Sequence, residues 1–205
     1  FRRVLFRSAA DVHDLFLGVA QLAGEPDRHF RDPLGMALRF AIAQVERDHP
    51  AFDGPIVGIL QVAMGWTNSH LHQFLTRDAC YSDPRINREM LTGPDGDRDE
   101  TKATLMQIAP TEGEEFGYEY DFGDSWEHAI EVEKILPHTS DASKTALCME
   151  GARACPPEDC GGFSGYADLL KILKNRKHPE HKAMKEWIGN DFNPESFDLA
   201  RSEEH

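Results

Sequence analysis

"FGYEYDFGDSWEHAIEV", residues 116–132, decides the fold of this chain. Phe116, Tyr118, Tyr120 and Phe122 alternate with Gly117, Glu119 and Asp121. Trp126, His128, Ile130 and Val132 alternate in the same way with Glu127, Ala129, Glu131 and Glu133. A period of two places one set of side chains on one face of a strand. Aromatic and β-branched residues suit a pleated, half-buried surface, so both runs read as strands with their large side chains inward. Gly123 and Asp124 lie between them and supply the turn. The stretch therefore predicts an antiparallel β-hairpin.

Working outward, Ile56, Ile59, Leu60 and Ala63 fall at helical spacing and Gly65-Trp66 closes that helix. "HLHQFLT", residues 70–76, reads as a further strand with His70, His72 and Phe74 on one face. Residues 82–100 are polar, carry Pro84, Pro94, Gly93 and Gly96, and read as a long loop. After the hairpin, Ala167, Leu169, Leu170 and Leu173 mark a helix that Ser164 can cap, with Lys171, Lys174, Arg176 and Lys177 near its end. Pro179 opens another helix through Met184 and Trp187, ended by Gly189. Towards the N-terminus, residues 9–23 and 34–45 carry apolar residues at helical spacing and no chemical signature. The expected fold class is α+β: a small mixed or antiparallel, roll-like sheet with a central hairpin packed against helices, plus a helical N-terminal segment over residues 9–54.

The chain has 205 residues, is 40% hydrophobic and carries a formal charge of -14. Such a field repels phosphate backbones and sets nucleic acid aside as a generic partner. No run approaches 18 consecutive apolar residues, so no membrane span is expected. Four cysteines do not make a disulfide framework, and a reducing cytoplasm is the expected location. "FRRVLFRS", residues 1–8, resembles a translated sequencing adapter, so it is set aside from the fold and the native start is expected to be missing.

Asp121-Phe122-Gly123 matches a kinase motif, but no Gly-rich loop, strand lysine or His-Arg-Asp loop accompanies it. Kinase chemistry is excluded. Three constellations remain. Asp121, Asp124 and His128 offer two carboxylates and an imidazole, a set that can hold a cation or exchange protons, or simply build a turn beside a core histidine. His70 and His72 would join them as metal ligands if their strand adjoins the hairpin. Cys148, Cys155 and Cys160 could bind zinc, with His138 as a fourth ligand, although their spacings fit the usual Cys-x2-4-Cys pairs poorly. "PPEDCGG", residues 156–162, reads either as a rigid connector or as an acidic rim for a basic partner.

"YEYDFGDSWEHAIEVE" together with "CMEGARACPPEDCGGFSGY" resembles the plasmid pRiA4b ORF-three-like family. "ILQVAMGWTNSHLHQF" is similar to that family's amphipathic helix and following strand, and "NPESFD" to its tail. The resemblance covers residues 55–199, leaving 200–205 as a tail. It implies a bacterial domain of plasmids and transposable elements with no settled activity. Residues 9–54 depart from the family's usual start of two strands. The expectation is a non-enzymatic accessory or binding domain, meeting an unknown protein or small ligand through Tyr120, Asp124, Trp126, Glu158, Asp159, Gly161 and Gly162. The alternative is a metal-dependent hydrolase using Asp121, Asp124 and His128 with zinc or another divalent ion. Mobile-element context also keeps DNA processing open, against the charge.

Overall fold

A computed structural model describes residues 2–7, 37–42, 56–86, 97–132 and 146–197. Its strands, in chain order, are β1 (Arg2–Arg7), β2 (Ala37–Ile42), β3 (His72–Leu75), β4 (Cys80–Ser82), β5 (Asp97–Asp99), β6 (Glu115–Tyr120), β7 (Trp126–Glu131) and β8 (Ala146–Ala152). The helices are α1 (Ile56–Met64), α2 (Leu105–Ile108), α3 (Gly162–Lys174) and α4 (His181–Ile188). The strands make one mixed sheet in the order β5-β4-β3-β6-β7-β1-β2-β8. The fold is α+β, as the alternation of strand and helix patterns implies.

The hairpin lies at the centre. Strands β6 and β7 pair antiparallel with Phe116 opposite Ile130, Tyr118 opposite His128 and Tyr120 opposite Trp126. Strand β3 pairs on the other side of β6, setting His72 opposite Tyr120 and Phe74 opposite Tyr118. These pairings align one aromatic face. Phe116, Tyr118, Tyr120, Trp126, Ile130 and Val132 are all buried in one core with Leu60 of α1 and Leu169 of α3. Ile59 and Leu170 pack against its margin. Each fully buried Leu or Ile contributes about 1.5–3 kcal/mol relative to exposure.

Helix α1 ends where glycine permits it. Gly65 has φ 68°. The Gly65 amide donates to the Val62 carbonyl and the Trp66 amide to the Gln61 carbonyl, each at 3.0 Å, which closes the last turn in a Schellman arrangement. The inward polar residue of this helix is Gln61. Its amide donates to the Tyr118 hydroxyl at 2.9 Å, and its oxygen accepts from the Asn68 amide at 3.0 Å. One buried side chain thus ties the helix to both the sheet and the loop that follows.

Several expectations need correction. The second face of the hairpin is only partly solvated, with Glu115 and Glu127 exposed. Gln73 and Glu119 oppose one another on it, are both buried and are hydrogen-bonded. Burial of that face is carried by polar side chains, which period-two alternation reads as exposure. Strand β5 lies within the expected long loop and pairs parallel with β4. Phe122 sits in the turn rather than in the strand. Helix α3 starts at Gly162, so Ser164 lies inside it and the N-cap is Gly161.

The N-terminal expectations also change. Arg2–Arg7, expected to stand outside the fold, pairs parallel with both β7 and β2. Ala37–Ile42, expected as part of a helix, forms β2 and pairs antiparallel with β8. Leu38 and Ile42 fit a helical period, but Leu38, Phe40 and Ile42 fit a period of two equally well. Short apolar runs are ambiguous, and neighbouring strand edges decide them. The expected helix over residues 9–23 lies outside the described residues.

Candidate functional site

Three segments meet at one end of the central hairpin: its turn, the loop after α1 and the connector over residues 156–162. The turn is built by Asp121, not by Asp124 as a turn-capping reading of the sequence expects. Asp121 has φ 57°, a left-handed conformation that Asp tolerates better than most residues. Its Oδ1 accepts from the Gly123 amide at 3.0 Å and the Asp124 amide at 3.3 Å. Asp124 is thereby free to reach out of the turn. Its Oδ2 accepts from the Gly161 amide at 3.1 Å.

A second link runs through Tyr120. Its ring is fully buried and stacks on Trp66, with centroids 4.7 Å apart. Its hydroxyl donates to Glu158 Oε1 at 2.5 Å and accepts from the Ser69 amide at 3.0 Å. The other Glu158 oxygen accepts from the Thr67 hydroxyl at 2.7 Å and the Thr67 amide at 3.2 Å. Trp66 adds a third link, since its indole donates to the Pro156 carbonyl at 2.9 Å. Burial, and then the Glu158 carboxylate, push the Tyr120 phenol well above its ordinary range, so it serves as a hydrogen-bond donor and not as a phenolate. Tyr120→Phe removes the donor to a charged acceptor and should cost about 1.5–3 kcal/mol by urea unfolding. A loss below about 0.5 kcal/mol would show that water replaces the phenol there.

The close approach explains Gly162. A Cβ on it would lie 2.5 Å from the Asp124 carbonyl oxygen, and its φ is 64°. The paired glycines of the connector therefore serve both backbone conformation and contact with the hairpin.

The sequence-predicted residues divide into two groups. Tyr120, Asp121, Asp124, Glu158, Asp159, Gly161 and Gly162 come together, and His70 joins them. His70 Nδ1 lies 3.6 Å from Asp121 Oδ2, and its Nε2 lies 3.4 Å from Asp159 Oδ1. His128 and Trp126 point into the core. His128 Nδ1 bonds the Tyr118 carbonyl at 3.0 Å, and its ring packs on Trp66 and Tyr118. His72 is also buried and faces Glu100, with Nε2 to Oε1 at 3.0 Å. Asp121, Asp124 and His128 do not converge.

The cysteines form no recognisable ligand set among the described residues. Cys155 and Cys160 are half-buried and in no disulfide, and Cys80 is buried and donates to Gln73. Burial, followed by the Asp124 charge, pushes the Cys160 thiol up to about 12. It is therefore held as a thiol. The Cys148 side chain and His138 lie outside what the structure describes.

Beside the connector lies an open cleft of about 520 Å³, bounded by Met64, Trp66, Cys155, Pro156, Phe192 and Phe197. Sequence reasoning missed it because its walls come from distant segments. It also missed Thr67 as a member of the junction. No helix among the described residues is long and apolar enough to cross a membrane.

A crystal structure of a protein of unknown function, MM3350 from Methanosarcina mazei Go1, is similar at 33% identity with a TM-score of 0.60, covering 71% of this chain and 79% of that one. The uncharacterised protein y4hQ of Sinorhizobium fredii is 38% identical over 132 residues. That match covers 64% of this chain and 65% of y4hQ, so the chain spans slightly less than two-thirds of the relative's length. Residues 55–201 match the model of the plasmid pRiA4b ORF-3-like proteins. With most of its length inside that match, and with the hairpin and connector as its centre, the chain belongs to the plasmid pRiA4b ORF-3-like protein family.

Proposed function

We propose that this chain is a non-enzymatic binding domain, an accessory of a plasmid or transposable element acting in the cytoplasm. The surface that meets a protein partner is the junction of hairpin turn and connector. One observation carries this reading: the polar groups of the junction are used to lock its segments together, and large apolar side chains stand exposed beside it. Leu71 and Phe163 are 41% and 48% exposed. Leu71 lies next to the turn, since its carbonyl accepts from the Asp121 amide at 2.8 Å. Phe163 follows Gly162, which abuts Asp124. A rigid surface with exposed apolar anchors binds with little ordering cost. A hydrolase built on Asp121, Asp124 and His128 finds no support in this geometry, because His128 faces the core and Asp124 holds the connector. The net charge of -14 weighs against nucleic acid.

A photo-crosslinking residue placed at Phe163 in cells carrying the element tests the reading. A discrete protein adduct is expected, and a second change, Leu71→Asp, should abolish it. The same probe at exposed Lys177, beyond the C-terminal end of α3, should give none. Equal labelling at both positions, or no adduct at Phe163, would sink the proposal. Hydrolysis of a phosphodiester by the purified protein, lost on His70→Gln, would favour an enzyme instead.

A further inference from the structure

Three segments far apart in sequence each deliver one ligand atom to the same point. His70 comes from the loop after α1, Asp121 from the hairpin turn and Asp159 from the connector. One nitrogen or oxygen of each lies within 4.8 Å of the others. The contacts of His70 Nδ1 with Asp121, 3.6 Å, and of its Nε2 with Asp159, 3.4 Å, are longer than good hydrogen bonds. The two contacts use different nitrogens of the ring, and an ion shared by all three residues would take only one of them, so the set of ligand atoms within 4.8 Å would draw in slightly around the ion. With metal–ligand bonds of about 2.1 Å, adjacent ligand atoms stand about 3.0–3.4 Å apart in octahedral or tetrahedral geometry.

Asp121 supplies the independent reason to expect a ligand. The residue is only 8% exposed. Its Oδ1 is taken by two turn amides, while Oδ2 has no hydrogen bond among the described residues and faces His70. A cation on Oδ2 would supply the partner that the turn amides give only to Oδ1. The amides that grip Oδ1 would then orient Oδ2, as the outer hydrogen bonds of metal-binding carboxylates do. Asp159 is 75% exposed at its side chain, so the third ligand forms an outer lip open to water.

We propose that His70, Asp121 and Asp159 form a site for one divalent first-row transition ion, Zn²⁺ or Mn²⁺, with coordination positions left open to solvent or to a second molecule. An imidazole nitrogen and two carboxylate oxygens suit these ions better than Mg²⁺ or Ca²⁺, which take all-oxygen shells. The acidic chain raises the local concentration of cations. The site stands independently of partner binding, although an ion here would also pull the three segments of the junction together.

Titration calorimetry of chelator-treated full chain with ZnCl₂ and MnCl₂ tests the site. One ion per chain is expected for at least one of the two metals. Asp159→Asn and His70→Gln should each weaken it by about tenfold or more, with unchanged near-ultraviolet circular dichroism. Cys160→Ser and His178→Gln should leave the affinity unchanged. Because Asp159 is exposed, its variant keeps the test decisive even if His70→Gln perturbs folding. Binding of equal stoichiometry and affinity in Asp159→Asn, or no saturable binding by the unsubstituted chain, would overturn the assignment. Crosslinking at Phe163 that persists in chelator-treated protein would leave the partner surface standing when the metal site fails.

Discussion

Gly165→Ala should unseat the connector from the hairpin and destabilise the domain by about 3 kcal/mol. A Cβ on Gly165 would stand 1.9 Å from the Cys160 carbonyl oxygen and 2.9 Å from its carbon. Both are backbone atoms, so no side-chain rotation relieves the clash. Residues 160–162 must move, and the Gly161 amide bonded to Asp124 moves with them. Gly162→Ala should act through the opposite contact, against the Asp124 carbonyl at 2.5 Å, with the added strain of φ 64°. Gly161→Ala is the contrast. Its φ is 89°, but its nearest atom would be Gly165 Cα at an ordinary 3.5 Å. It should cost about 1–2 kcal/mol from backbone strain alone. Urea midpoints of the three variants decide the matter. If Gly165→Ala stays within about 0.5 kcal/mol of the parent, the connector does not sit as described.

Trp126→Ala should cost about 3–5 kcal/mol, enough to leave a small domain marginal. The ring is 7% exposed, lies opposite Tyr120 on the paired strand and packs 6.3 Å from Trp66. Trp126→Phe should be far milder, within about 1.5 kcal/mol. The indole N–H is buried without a hydrogen-bond partner among the described residues, so removing it relieves a desolvated donor. Thermal unfolding of the pair separates the two contributions. Equal losses from Ala and Phe would mean that the N–H, and not ring volume, sets the cost.

The hairpin was legible in the sequence because one physical quantity, alternation of large and small or polar side chains, governs it. Its register followed once the turn was located at residues 121–125. Helices α1, α3 and α4 were legible to within a few residues for the same reason. Alternation failed at Gln73 and Glu119, where polarity on one strand is answered by polarity on the next and both are buried. It failed again at Ala37–Ile42, where six residues satisfy either period and backbone pairing on both flanks settles the outcome. For the junction, the sequence pointed to the turn and to residues 156–162 as separate features. Their union was not readable, because it depends on Asp124 reaching an amide 37 residues away and Tyr120 reaching a carboxylate 38 residues away. His70 was assigned to a strand face with His72, whereas β3 begins at His72 and leaves His70 in the preceding loop. That two-residue shift in a strand boundary separates a core imidazole from a part-exposed one beside the turn.

Trp66 gives the protein a built-in optical gauge. Its indole is stacked on Tyr120 and hydrogen-bonded to the Pro156 carbonyl, so its electronic transitions couple to one partner and its local polarity is set by the other. Docking of the connector should therefore register as a near-ultraviolet dichroic band and a blue-shifted emission, superimposed on the red-shifted signal of half-exposed Trp187. Loosening of the junction, by substitution or by withdrawal of a bound ion, becomes visible without a label and before the hairpin itself melts.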